Sequence, residues 1–342
     1  MLAALDKHAS DKIGANSQKS QPCLPKAAGM APSASPFVNI FPEKHTMTKS
    51  LAFALAVAFI PLVMHADDEI RHSFFIAGPT FTGILGEDGA EVWNSGKPAA
   101  RDGFVLPNGN VLIAWSDEVR EMKRDHTVVF HYKLSADNKE IGTVERLDNV
   151  RTLITELGPK PRLMEVAADG TIALQIALQP ETDNAHMQTR MARRLPNGDY
   201  LVPHLLAFQV KQYTPKGDVV SSFKTDLEAL GGRAAENWPF TAIRLDNGNT
   251  LVNLTHGNKT VEFDAAGKVV WKVGNEDFPD LKPFDDPCGG QRLPNGNTVI
   301  ASYHASGNAI KVFEVTRDKK IVWKYAGPHR AHEIQVLTTN GK

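Results

Sequence analysis

The sequence predicts an all-β fold: a six-bladed β-propeller of four-stranded blades, its ring closed by a C-terminal strand that completes the first blade. Three observations predict it. A short turn phrase recurs with a period in the forties. A second hairpin phrase alternates with it. Gly and Pro are abundant, 26 and 21 of 342 residues, which favours many tight turns over long helices.

The turn phrase appears as Leu106-Pro107-Asn108-Gly109, Leu195-Pro196-Asn197-Gly198, Leu245-Asp246-Asn247-Gly248 and Leu293-Pro294-Asn295-Gly296. A degenerate copy ends at Asn149 and a last one at Gly341. Positions 109, 149, 198, 248, 296 and 341 are spaced by 40, 49, 50, 48 and 45 residues. Such a period, with alternating flanks, marks one sheet per repeat. The Asn-Gly pair predicts a type I′ hairpin, whose two central residues both have positive φ.

The second phrase is clearest from Val261 to Trp271 and from Val312 to Trp323. Each repeat therefore reads as inner strand, Asn-Gly turn, second strand, loop, third strand, Gly turn, outer strand. Outer strands fall near 91–94, 127–133, 171–177, 218–224, 268–273 and 320–325. Their aromatics, Trp93, Phe130, Trp271 and Trp323, are expected to pack between blades. The N-terminal region supplies three strands without an inner one, and the C-terminus (333–337) supplies only an inner one. Together they complete a blade, and closure removes free sheet edges. Residues 225–231 are expected to form one short helical turn, and 276–287 a surface loop.

The first 66 residues stand apart. From Met47 a short basic start precedes fourteen apolar residues (51–64), then Ala66 before Asp67, Asp68 and Glu69. This fits a signal peptide at 47–66; the run is short of the about 20 residues that span a bilayer. Residues 1–46 are an upstream extension, either a gene-model artefact or a disordered leader. The domain is then 67–342, exported to the periplasm or secreted, with no stable membrane anchor. Residues 1–66 carry six Lys and three acids, so a formal charge of −1 on the whole chain leaves −4 on 67–342. That charge gives no motive for nucleic-acid binding. Only Cys288 remains of the two cysteines, so no internal disulfide forms, and it reads as a small buried residue.

The repeats resemble those of the pyrroloquinoline-quinone-like propellers and of the arylsulfate sulfotransferase superfamily. The resemblance rests on Glu262-Phe263-Asp264 through Gly267 to Trp271, preceded by Leu245 to Val252, and covers nearly all of 71–342. It implies the propeller fold. The quinone enzymes have eight blades and adjacent cysteines over the cofactor, which this chain lacks, so a quinone is not expected. The sulfotransferases use a funnel histidine as nucleophile.

In a propeller, the loops leading into the inner strands and those leaving the second strands share one face. Six of the nine histidines in 67–342 fall there: His186, His204, His256, His304, His329 and His332. Glu156 and His204 share one repeat offset; His256 and His304 share another, two residues on. Imidazoles suit proton transfer, nucleophilic transfer and metal binding. The expected function is binding of a small polar or anionic ligand, such as a carbohydrate, at this face. The candidate ligand-binding residues are His186, Trp238, His304, His332, Glu156 and Trp115. The alternative is an enzyme in which His204 or His256 acts as base or nucleophile and Arg190 holds an anion. A further form has three of these histidines holding a divalent metal for lyase or hydrolase chemistry. A protein-interaction scaffold is the third class. Arg146, Arg194, Arg244 and Arg292 precede the turn phrase on the opposite face and are read as structural within each blade. Gly289 and Gly290 are read as sites of close backbone approach at the axis.

Expression in a bacterial host should deliver a periplasmic chain that begins at Asp67 by N-terminal sequencing. Recovery of a chain that retains 51–64 would show that this segment is not a cleaved signal.

Overall fold

The computed structural model describes residues 69–342 apart from Asn149 and Pro180. The extension (1–46), the signal peptide (47–66) and the Asn149 end of the degenerate turn lie outside the described residues. Twenty-four strands form six four-stranded antiparallel sheets. β1 (His72–Ala77), β2 (Thr82–Leu85) and β3 (Glu91–Asn94) belong to the blade that the C-terminal strand completes, the closing blade, and the other five are numbered from β4 onward. The first blade is β4 (Asp102–Val105), β5 (Val111–Ala114), β6 (Glu118–Met122) and β7 (Val128–Lys133). The second is β8 (Glu140–Arg146), β9 (Thr152–Leu157), β10 (Arg162–Val166) and β11 (Ile172–Ala177). The third is β12 (Arg193–Arg194), β13 (Tyr200–His204), β14 (Gln209–Tyr213) and β15 (Val219–Lys224). The fourth is β16 (Pro239–Arg244), β17 (Thr250–Leu254), β18 (Lys259–Phe263) and β19 (Val269–Gly274). The fifth is β20 (Pro287–Arg292), β21 (Thr298–Ser302), β22 (Val312–Val315) and β23 (Ile321–Tyr325). β24 (Glu333–Thr339) pairs with β1, from Ala77 opposite Glu333 to His72 opposite Thr339, and closes the ring.

The core consists of apolar layers between neighbouring blades. Successive side chains on a strand point to opposite faces, so Phe74 packs toward the fifth blade and Phe75 toward the first. That double burial explains the unbroken apolar run of β1. The outer-strand aromatics also bridge blades. The indole N–H of Trp93 donates to Arg124 O at 3.0 Å, that of Trp271 donates to Arg317 O at 2.9 Å, and Trp323 meets His72 and Phe74 edge-on.

The Asn-Gly turns differ from expectation. Gly109, Gly198, Gly248 and Gly296 have φ between 83° and 92°, but none of the preceding asparagines has positive φ. Gly109 N donates to Leu106 O, and Leu106 N to Asn110 O, both at 2.8 Å. This is a type I turn followed by a left-handed glycine, the three-residue hairpin loop. Pro107, Pro196 and Pro294 suit the second position of a type I turn, and Leu245-Asp246-Asn247-Gly248 takes the same turn without a proline. The asparagine instead accepts from the backbone two residues on, as Asn108 Oδ1 does from Asn110 N at 3.0 Å.

Residues 225–231 hold one short helical turn, as expected, at Glu228–Leu230, and a second follows at Arg233–Ala235. One connection differs. The loop 276–287 is not wholly at the surface: Phe284 is buried against Phe313.

The recurring arginines act between blades as well as within one, where Arg244 and Arg292 donate to Gly248 O and Gly296 O of their own turns, both at 2.8 Å. Arg146 Nη2 lies 2.7 Å from Glu121 of the preceding blade, Arg194 Nε 3.2 Å from Glu165, and Arg292 Nη2 2.9 Å from Glu262. Asn110 and Asn249 donate to Glu121 and Glu262 from the carboxylates' own blades, at 2.6 and 2.8 Å. In the third blade Gln212 stands where the others carry Glu, and Arg244 Nη2 reaches its Oε1 at 3.5 Å.

At the axis, Arg193 lies 2.9 Å from Asp102 and 3.2 Å from Glu333, with Glu145 nearby. A Cβ on Gly289 would sit 2.4 Å from His332 O, so only glycine lets β20 and β24 approach so closely. One guanidinium faces two buried carboxyls, Asp102 and Glu333, and the half-buried Glu145. Burial first, and the Asp102 charge next, push Glu333 up from 4.5 to about 8 against the pull of Arg193.

Two outcomes follow for stability. Val150 occupies the glycine position of the degenerate turn at φ 61° with its side chain 68% exposed. Val150→Gly should stabilise the protein by about 1 kcal/mol and raise Tm by roughly 2–4 °C; a fall in Tm would refute the strain. The raised Glu333 contributes stability that is full below pH 4.5 and is lost as pH rises through about 8. Glu333→Gln should therefore flatten the decline of Tm over that window, and an unchanged slope would show that Glu333 ionises freely.

Candidate functional site

Each blade sends its inner strand from the same end of the ring, so the loops before those strands form one face. All six blades contribute to it. Arg101 precedes β4, Glu140 starts β8, His186 and Arg190 precede β12, and Glu236 and Trp238 precede β16. Asp286 precedes β20 and His332 precedes β24. The loops after β17 and β21 add His256, Tyr303 and His304.

One side of this face is cationic. Arg101 Nη2 lies 2.8 Å from Glu140 Oε2, and Arg101 Nη1 lies 3.0 Å from His186 Nδ1. Arg190 is buried beneath them, 2% exposed. Its Nη1 lies 3.1 Å from Glu140 Oε1 and donates to Thr189 O, and its Nη2 donates to His186 O. Burial pulls the Arg190 pKa down to about 10, opposed by the Glu140 charge, so it remains a cation at neutral pH. Burial alone would raise Glu140, but the His186 ring and the charges of Arg190 and Arg101 outweigh it and hold the carboxyl at about 2.

The middle of the face is aromatic. His332 stacks on Tyr303 with centroids 3.9 Å apart and lies parallel to Phe240 at 6.2 Å. The Arg190 guanidinium lies 6.0 Å from the Phe240 centroid, and Arg330 5.4 Å from that of Tyr303. His332 Nδ1 donates to Ala100 O at 3.2 Å, which leaves Nε2 as an acceptor. Burial pulls its pKa down to about 3, with Arg101 and Arg190 adding to the effect. Below it Cys288 joins Met191 and Phe240 in an apolar cluster. Burial raises that thiol well above its ordinary range, so it is not poised as a nucleophile.

The far side pairs histidines with carboxylates. His256 Nδ1 lies 3.1 Å from Glu236 Oε2, and its Nε2 lies 3.8 Å from Asp286 Oδ2. His304 Nδ1 lies 2.8 Å from the same Asp286 oxygen. Trp238 stacks on His256 at 4.1 Å. Glu236 and Asp286 both hold left-handed backbone, φ 49° and 51°. Strain of this kind is kept where the surrounding structure imposes it, and functional sites are a common place.

The structure thus brings His186, Trp238, His256, His304 and His332 to one continuous face, with Arg190 just under it. Three predicted residues do not reach that face. His204 is fully buried; Glu181 takes its Nδ1 at 2.9 Å and Tyr213 its Nε2 at 3.0 Å, and burial lowers its pKa. Glu156 is fully buried and bonded to Tyr132, Ser135, Asn138 and Arg162. Trp115 is 1% exposed and donates to Lys97 O and Pro98 O. The arginine clamp on an anion is also corrected, because the Arg190 nitrogens already serve Glu140 and two carbonyls. His329 stacks on Phe81 at 4.2 Å, outside this network. Among the described residues no group of three or more His, Cys, Asp or Glu side chains is arranged to hold a metal ion. Glu140 escapes a sequence reading because the degenerate turn at Asn149 blurs the blade it opens. Phe240, an apolar residue, carries no signal of its own.

Comparison with known proteins adds the family. No curated protein matches the sequence. A crystal structure of a protein of unknown function from Bacteroides caccae superposes with TM-score 0.66 at 20% identity, over 77% of this chain and 98% of that one. A streptogramin B lyase structure superposes with TM-score 0.52 at 14% identity, over 76% of this chain and 85% of that one. These likenesses show a shared propeller fold and nothing finer. The fold expected from the quinone and sulfotransferase resemblance is present, while the sequence match is to a different family. The family model described as Mal s 1 allergenic protein-like matches residues 76–281, well over half of the chain, and the chain belongs to that family.

Proposed function

We propose that the protein is an exported, ligand-binding propeller whose histidine face receives a small polar or anionic molecule, with an acidic carbohydrate as the best-fitting class. One observation carries this reading: side chains from all six blades meet on one face that is cationic at Arg101, aromatic at Tyr303 and Trp238, and rich in imidazole throughout. A uronate or sulfate group suits the cationic side, and the C–H face of a sugar ring suits an aromatic shelf. Burial beneath the face removes Arg190 from direct contact, and the Glu140 charge helps to keep it a cation, so it acts by its field.

A second reading has a specific observation behind it. His256 has a carboxylate on Nδ1 and a second near Nε2, the arrangement that orients an imidazole for proton transfer. With a ligand placed over Trp238, His256 would serve as general base, and Asp286 would couple it to His304. His204, buried with both ring nitrogens engaged, is not a candidate for that role.

A thermal-shift screen against acidic oligosaccharides, aryl sulfates, divalent metals and the quinone cofactor tests both readings. A ligand at 100 times its Kd adds about 2.7 kcal/mol, a Tm rise of roughly 5–10 °C. The shift should vanish in His256→Ala and His304→Ala. A ligand whose shift survives both variants, or no shift with any compound, would reject the histidine face as the site and favour a protein-interaction scaffold. Turnover of a bound ligand, lost in His256→Ala while binding persists, would establish the enzyme reading.

A further inference from the structure

We propose that a second site lies on the opposite face: the cavity between the Asn-Gly turns binds an organic carboxylate, held by Arg244. The cavity has a volume of about 1150 Å³, ample for an organic acid of moderate size. Its lining combines apolar residues such as Leu195 and Ile243 with six arginines and with the acids Glu145, Asp246, Glu262 and Glu333.

Five of those arginines already face a carboxylate. Arg146 pairs with Glu121, Arg193 with Asp102 and Glu333, Arg194 with Glu165, and Arg292 and Arg317 both with Glu262. Arg244 is the exception: among the described residues no carboxylate oxygen lies within ion-pair distance of it. The reason is one residue. Gln212 occupies the third-strand position that holds Glu121, Glu165 and Glu262 in other blades, so the carboxylate that would latch Arg244 is replaced by a neutral amide. Arg244 Nη1 donates to Gly248 O at 2.8 Å, and Nη2 meets Gln212 Oε1 only at 3.5 Å. Its buried Nε has no partner. Arg146 and Arg292 share that unbonded Nε, so the missing carboxylate is what sets Arg244 apart. Burial without a counter-ion lowers its pKa.

The missing latch sets the ligand class. Each of the other five guanidiniums has a carboxylate within ion-pair distance and Arg244 has none, so a carboxylate is the group its position lacks. A planar carboxylate fits the guanidinium fork in the way the neighbouring blades already use. The apolar walls then cover the body of the acid. This site shares no residue with the histidine face, and either can fail without the other.

Calorimetric titration of the purified chain with benzoate, benzamide and inorganic phosphate tests the proposal. Benzoate should bind, and neither the neutral amide nor phosphate should match it. Arg244→Gln should weaken benzoate by about tenfold or more. Gln212→Glu should weaken it comparably while raising Tm, because an internal carboxylate then competes for Arg244. His256→Ala should leave benzoate binding unchanged. The proposal is overturned if the wild type does not bind benzoate or binds benzamide or phosphate as well. It is also overturned if Gln212→Glu binds benzoate like the wild type, or if His256→Ala abolishes binding. Because Gln212→Glu restores the pattern of the neighbouring blades, it keeps the test informative even if Arg244→Gln does not fold.

Discussion

The pairing of β24 with β1 is the constraint on which the rest of the structure depends. Without it the closing blade would lack its inner strand and the ring would present open sheet edges. With it, the last apolar layer forms between the fifth and closing blades, where Phe74, Ile76 and Leu85 pack against Val299 and Val312. The same pairing carries His332 and Glu333 from the end of the chain to Arg101 and Asp102 near its start. Both the histidine face and the buried charge cluster on the axis are therefore products of closure. Neither could be assembled by any one blade.

Within the ring, repetition and departure from it have different meanings. The Asn-Gly turns, the bridging indoles and the carboxylate latches between blades are repeated, and they hold neighbours together. The departures are where chemistry becomes available. Gln212 breaks the latch series and leaves Arg244 without an acid. Glu236 and Asp286 break the backbone norm and bring carboxylates to His256. The two faces are kept apart by the Arg193 cluster, whose charges are largely spent on one another.

Much of the fold is legible in the sequence because a propeller repeats its instructions. Turn spacing sets the blade count, and the strands at the two termini match a shared blade. The turn type is an exception: Asn-Gly alone points to type I′, and the loop instead takes three residues, with Pro or Asp before the asparagine. The site is less legible. His256 and His304 share an offset and both reach the face. Glu156 and His204 share another and are both buried. Two residues at a strand end decide between solvent and the space between blades, and side-chain type does not reveal which. Tyr213 and Glu181, which enclose His204, come from elsewhere in the sequence and cannot be assigned to it in advance. The cavity on the turn face is hidden for a related reason: its arginines are recognisably structural, and only their partners show which one is unmatched.

Closure also determines how the molecule bears load. In the antiparallel pair, the start of β1 lies beside the end of β24, with Arg71 N and Asn340 Oδ1 2.8 Å apart. Tension applied between these neighbouring ends would act across the ladder, not along it. The hydrogen bonds would break in succession, as a zipper opens, instead of resisting together in shear. The pairing that completes the ring is thus the one that tension between these ends would open, one hydrogen bond at a time.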